Sequence, residues 1–292
     1  MEIRLEELRE GFARYGFVIK EDDLYTVYLA LHLEKPLLVG GPPGVGKTEL
    51  AKVLSKIMNA RLIRLQCHEG LDESNALFDW NIQRQLVKMH LAAKDEQLRE
   101  ETLFSLSNIL QRPLLQAITS EEQVVLLIDE IDRSDPSFEA FVLEVLSDFQ
   151  ITIPEIGTIA ATRKPIVVIT NNGERELSEP LRRRCVFLYL DFPRIEEEAL
   201  ILKNCAPEVL ENLNEEIAMA VAWARDKGHQ LGPNAPYALD WARSLLLLNA
   251  DSYQKDYIDK TLEALAKNKE NLAAFWTQPE TGVVGNLEKE KK

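Results

Sequence analysis

Three cysteines, at positions 67, 185 and 205, are odd in number and widely spaced. That argues against a disulfide framework and makes a reducing, cytoplasmic setting the expectation. Histidine is nearly as scarce. His32, His90 and His229 are scattered over helical stretches without triad logic, and Cys67-His68 has no partner pair at zinc-ligand spacing, so it reads as a strand end. No stretch approaches the roughly 18 consecutive apolar residues of a membrane span. The opening MEIRLEELREGF is charged and amphipathic, unlike a signal peptide. Positive charge is in deficit: 34 Lys and Arg stand against 48 Asp and Glu, a formal net charge of −14. Because phosphate neutralisation supplies most nucleic-acid affinity, this balance makes nucleic acid an unlikely partner class. It suits a solvated surface or a protein partner. Internal repeats and low-complexity segments are also lacking.

Apolar residues are not lacking, at 46% of the chain, and 292 residues is the length of about two domains. Five short apolar runs alternate with helical stretches: PLLVG (36–40), RLIRL (61–65), VVLLID (124–129), PIVVIT (165–170) and VFLYL (186–190). That alternation predicts one doubly wound α/β domain with a parallel sheet covered on both faces, ligands binding beyond the carboxyl ends of its strands. Beyond Asp191-Phe192-Pro193 only helical patterns remain, from Asn214 to Gly228, over 238–248 and over 252–267. The expected organisation is an N-terminal helical segment (1–35), an α/β core (36–191), a small helical domain (192–275) and a polar tail (276–292).

Within PLLVGGPPGVGKTEL, Gly41 and Gly46-Lys47-Thr48 fit the spacing of a phosphate-binding loop, G-x4-G-K-[ST], between a strand and a helix as that motif requires. The loop Gly41, Pro42, Pro43, Gly44, Val45, Gly46 and the helix start at Lys47, Thr48 and Glu49 would form the nucleotide cradle, its non-proline backbone N–H groups pointing into the concavity. Lys47 is expected at the β- and γ-phosphates and the Thr48 hydroxyl on Mg²⁺. A plain Gly/Pro turn is the alternative.

VVLLIDEID (124–132) ends a buried strand in Asp129, a carboxylate for the same metal, and Glu130, placed to orient and deprotonate an attacking water. Two acids in series suit a hydrolase better than a kinase. PIVVITNN ends in asparagines, either of which could hold that water or simply form a turn. LRRRC (181–185) is a solvated helix end or an arginine finger inserted into a neighbouring subunit. Asp132 is expected to be a solvated acid, with a contact to an adjacent subunit as the alternative. Ser134-Asp135-Pro136 reads as a helix cap, and Glu196-Glu197-Glu198 as a helix start.

These elements, in this order and spacing, resemble the AAA+ ATPases over roughly residues 20–270. Within that superfamily the chain looks most like the MoxR branch, and there the CoxD-like group linked to carbon monoxide dehydrogenase maturation. LQCHEGLDESNALFDW (65–80), LQRPLLQAI (110–118), LIDEIDRSDPSFEAFVLEVLSDFQITIPEIGTI (127–159), RELSEPLRRRC (175–185) and ALDWARSLLLL (238–248) carry the likeness. The resemblance implies an ATP-hydrolysing hexameric ring that acts on a client protein or metalloenzyme, with a von Willebrand A-domain partner and ATP and Mg²⁺ as cofactors. It implies Lys47 and Thr48 as Walker A, Asp129 and Glu130 as Walker B, and Asn172 as sensor 1 with Asn171 as fallback. Arg184 or Arg183 is then the finger in trans. The lid arginine of such families falls at Tyr237, with Arg243 as a substitute, which puts the lid's catalytic part in doubt. Hairpin-like insertions are expected at 69–80, presenting Phe78 and Trp80, and at 150–165.

Overall fold

The computed structural model describes residues 3–92, 105–205 and positions 217, 239, 240 and 244. Its described residues begin with two helices, α1 (Leu5–Arg14) and α2 (Glu21–His32). Then come β1 (Leu37–Gly40), α3 (Lys47–Ile57), β2 (Arg61–Gln66), α4 (Glu73–Leu77), β3 (Phe78–Trp80) and α5 (Ile82–Ala92). The chain continues through β4 (Ile109–Gln111), α6 (Pro113–Ile118), β5 (Val124–Asp129), α7 (Pro136–Asp148), β6 (Gln150–Ile153) and β7 (Gly157–Ala160). It ends in β8 (Ile166–Asn171), α8 (Glu179–Arg184), β9 (Val186–Tyr189) and α9 (Ile195–Cys205).

All five apolar runs become strands of one parallel sheet, in the order β2-β5-β8-β1-β9. Parallel strands are buried on both faces, which is why each run is apolar nearly throughout rather than alternating. Every residue of β1 and β5 is buried. The register aligns Gln66 with Asp129 and Gly40 with Asn171, so the strands end together along one carboxyl edge. Helices supply the covering layers through spaced apolar faces. α3 buries Leu50, Ala51, Val53 and Leu54, while α7 buries Phe138, Val142, Val145 and Leu146.

Two compact units emerge from the chain path. Among the described residues up to 205, the first comprises 3–11, 20–41, 47–92 and 105–189; the second comprises 12–19, 42–46 and 190–205. In the second, Phe12 and Phe17 pack with ring centroids 5.5 Å apart, and the Asn204 amide donates to Gly16 O at 3.4 Å. α9 opens with Glu196, Glu197 and Glu198 in its first turn, where acids suit the helix dipole.

Segment 150–165 does contain a hairpin, β6 antiparallel to β7 with Ile151 opposite Ile159. Segment 69–80 is not one. Asp72 accepts the Asn75 N–H at 2.8 Å and caps the short α4, and β3 pairs instead with β4, so Trp80 lies opposite Ile109. The strand's partner is supplied from beyond α5, a distance that local pattern does not reveal. At Ser134-Asp135-Pro136 the capping carboxylate makes no side-chain bond to the helix; the Ser134 hydroxyl donates to Ile131 O at 2.7 Å. The expected helices after 205, along with Tyr237, Arg243, His229 and the tail 276–292, lie outside the described residues except at the four isolated positions.

Candidate functional site

The phosphate-loop sequence bends as its glycines allow. Gly44 and Gly46 take φ of 83° and 97°, a region where a side chain would be strained. A Cβ on Gly46 would also meet the Phe17 ring at 3.5 Å. α3 starts at Lys47, directly after the loop.

Lys47 is only 6% exposed, and its ammonium donates to Gly41 O at 2.5 Å. Burial pushes its pKa below the ordinary lysine value, while the nearby charges of Asp132, Glu130 and Asp129 pull it back up.

Asp129 ends β5 and is 2% exposed. The Thr48 hydroxyl lies 3.1 Å from its Oδ1 and the Thr170 hydroxyl donates to Oδ1 at 2.6 Å. The Arg64 guanidinium donates to Oδ2 through Nη2 at 2.6 Å and Nε at 3.0 Å. A positive group therefore already sits on this carboxylate, and Thr48 and Asp129 present hard oxygen donors side by side. Among the described residues no group of three or more His, Cys, Asp or Glu could hold a metal ion. That donor set fits Mg²⁺, which takes one or two protein oxygens and completes its shell with phosphate and water.

Glu130 follows in a left-handed conformation, φ 58° and ψ 53°, which turns its side chain out of the strand direction. The Asn172 amide donates to its Oε1 at 3.1 Å. The Gln66 amide and the Arg133 guanidinium donate to Oε2 at 2.8 and 3.1 Å. Its own N–H donates to Thr170 Oγ1 at 2.8 Å, tying the ends of β5 and β8 together. Asn171 turns away: its Oδ1 accepts the Gly173 N–H at 2.7 Å. Of the two asparagines, then, the structure brings Asn172 to Glu130.

The arginine cluster occupies the last turn of α8. Arg182 pairs with Glu176 at 3.2 Å and Arg183 with Glu179. Arg184 is exposed and makes no ion pair among the described residues. Among the described residues no hydrogen bond or ion pair joins these arginines to Lys47 or Glu130. Cys67, the residue after β2, is buried as a free thiol.

Two acids were misjudged or missed from sequence. Asp132, expected to be solvated, is 4% exposed; its Oδ2 accepts the N–H groups of Asn172 at 3.1 Å and Glu174 at 2.9 Å. Glu139 on α7 is 2% exposed, binds the Arg175 guanidinium at 2.8 Å and accepts the Ser178 N–H at 2.7 Å. The only sequence signal for Glu139 is its place on the apolar face of α7, one residue after Phe138 and three before Val142.

The chain is 23% identical over 235 residues to the chaperone protein ClpB of Vibrio vulnificus, covering 78% of this chain and 24% of that protein. It is 25% identical over 250 residues to the Holliday junction branch migration complex subunit RuvB of Thermotoga petrophila, covering 82% of this chain and 62% of that one. It thus spans less than a quarter of the ClpB relative and under two thirds of the RuvB relative. The solved Thermotoga maritima RuvB Holliday junction branch migration motor has the same fold, with a TM-score of 0.53 at 22% identity over 87% of this chain and 72% of that one. The family model described as AAA domain (dynein-related subfamily) matches residues 36–185, from the proline before β1 to the cysteine after α8. On that match the chain belongs to the AAA ATPase family.

Proposed function

We propose that the protein is a Mg²⁺-dependent ATPase whose sites are completed between the subunits of a homo-oligomeric ring, a hexamer by family likeness. Its turnover would remodel or mature a client protein or metalloenzyme complex, as in the MoxR branch, with a von Willebrand A-domain protein as partner. The observation that most supports hydrolysis is the contact of Asn172 Nδ2 with Glu130 Oε1 at 3.1 Å, one residue beyond the Asp129 carboxylate that meets Thr48.

On this reading Lys47 exchanges its bond to Gly41 O for the β- and γ-phosphate oxygens, gaining a charge-assisted pair in a buried setting. Thr48 and Asp129 would hold Mg²⁺, which neutralises phosphate charge. Asn172 orients the attacking water, and Glu130 accepts its proton as the water oxygen attacks the γ-phosphorus and the bond to the β–γ bridging oxygen breaks, releasing ADP and phosphate. A neighbour's Arg184, with Arg183 as the alternative, stabilises charge on the transferring group. The β6–β7 hairpin and the β3–β4 pair are the surfaces through which a client would be moved.

A second reading, a nucleic-acid motor, is favoured by the likeness to RuvB and opposed by the net charge of −14. It requires turnover to be stimulated by DNA or RNA in a way that weakens steeply with salt. The hydrolase reading is tested with Glu130→Gln. ATP binding should persist while phosphate release falls by roughly 10²- to 10⁴-fold, the usual worth of a general base. Wild-type turnover in that variant would refute it.

A further inference from the structure

Asp132 makes a pattern of bonds that differs from that of an ordinary buried acid. Burying a carboxylate costs several kcal/mol unless its charge is met, so such groups normally engage both oxygens. Here Oδ2 accepts two N–H groups, from Asn172 and Glu174, while Oδ1 is buried without a hydrogen-bond partner. Both donors belong to the short segment that follows β8. Asp132 itself lies in the 3-10 turn Ile131–Arg133, immediately after Glu130. The two loops that carry Glu130 and Asn172 are therefore joined at two levels. Backbone N–H groups of 172 and 174 end on Asp132, and the Asn172 side chain ends on Glu130 Oε1.

We propose that Asp132 is a positioning residue: by accepting the Asn172 and Glu174 N–H groups it fixes the backbone from which the Asn172 amide reaches Glu130. The inference rests on the reading of Glu130 and Asn172 given above. It accounts for a buried oxygen acceptor two residues beyond Glu130. An asparagine on a free loop end would lose backbone and side-chain freedom each time it met Glu130, whereas a loop held at 172 and 174 has already lost it. The role needs an acceptor, not a charge, because both donors are neutral amides.

The test is a double-mutant cycle in the full-length chain, at a protein concentration where turnover per subunit has stopped rising, with ATP as substrate. Asn172→Ala should lower kcat roughly ten- to a hundredfold, the range of one hydrogen bond to a charged group. Asp132→Ala should lower kcat by the same factor while changing KM for ATP no more than Asp132→Asn does, since both variants remove the charge that acts on Lys47. In the Asn172→Ala background, Asp132→Ala should then cost nothing further, because its effect runs through the missing amide. Asp132→Asn, whose amide oxygen can accept the same two N–H groups, should keep kcat within about threefold of wild type. Independent, multiplying losses from the two alanine variants would overturn the proposal. So would a kcat for Asp132→Asn as low as that of Asn172→Ala, a comparison that stands even where Asp132→Ala does not fold. If Asn172→Ala alone leaves kcat unchanged, the reading of the site fails, and the positioning role falls with it.

Discussion

At the scale of single residues, burial decides chemistry that composition leaves open. Cys67 and Cys185 are both raised to about 12. For Cys67 burial is the main cause, reinforced by the charges of Asp129, Asp132 and Glu130; for Cys185 burial outweighs the opposing Arg184 and Lys35. Cys205 is exposed. Thiolate is the reactive form, so a maleimide or iodoacetamide pulse on the native protein near pH 8 should label Cys205 and spare Cys67 and Cys185 until denaturant is added. Mass spectrometry of the digested protein reads this directly. The same shifts set a sign for stability. The two thiols ionise in the unfolded chain near the ordinary value of 9.0 but in the folded chain only at about 12. Their contribution is therefore complete below about pH 9 and is lost as pH rises towards 12, visible as a falling denaturation midpoint over that interval. The placement of Lys47 and Thr48 at a helix start and of Asp129 and Glu130 at a strand end was legible because it follows from spacing along a few residues. Asp132 and Glu139 were not, since an acid's burial depends on donors about forty positions away, which no local window contains.

Between elements, one buried acid determines where the arginine cluster stands. Glu139 of α7 holds Arg175 at 2.8 Å and the N–H of Ser178, the residue that caps α8, at 2.7 Å. Arg175 Nη2 also donates to Ser134 O at 3.2 Å. The start of α8 is thereby pinned to α7, and the helix's last turn carries Arg182, Arg183 and Arg184. Glu139→Ala leaves a largely buried guanidinium without its counter-ion and should cost about 3 kcal/mol in urea denaturation. Glu139→Gln keeps an acceptor for the Ser178 N–H and should cost less. Equal stability of both variants and wild type would show that the clamp does not hold α8. Strand existence was readable from apolar runs because a parallel sheet buries whole strands. The pairing of β3 with β4 was not, since nothing in FDW or ILQ specifies a partner across the intervening α5.

For the whole molecule, the decisive expectation concerns sites shared between copies. Arg184 is exposed at a helix end and lacks an ion pair among the described residues, as a group destined for a neighbour would. An arginine donated in trans is worth roughly 10³- to 10⁵-fold in turnover. The Arg183→Ala, Arg184→Ala double variant keeps Glu130 but lacks the donated cation; Glu130→Gln keeps the cation but lacks the base. Each alone should be nearly inactive, while a mixture should regain turnover well above either, because one site in the assembly then has both. Phosphate release from mixed and separate samples measures this, and absence of complementation would place the arginines outside the reaction.

By itself the sequence determined the five strands, the loop before α3, and the pair of acids ending β5. These follow from local pattern: apolar continuity for burial on two faces, glycine where φ must be positive, and the fixed spacing of the loop and the strand-end acids. Only the tertiary structure decided which asparagine meets Glu130, that Asp132 and Glu139 are interior, and that Arg64 caps Asp129. Each of those depends on two segments distant in sequence arriving at one carboxyl edge, and that juxtaposition is a property of strand order, which a one-dimensional pattern does not encode.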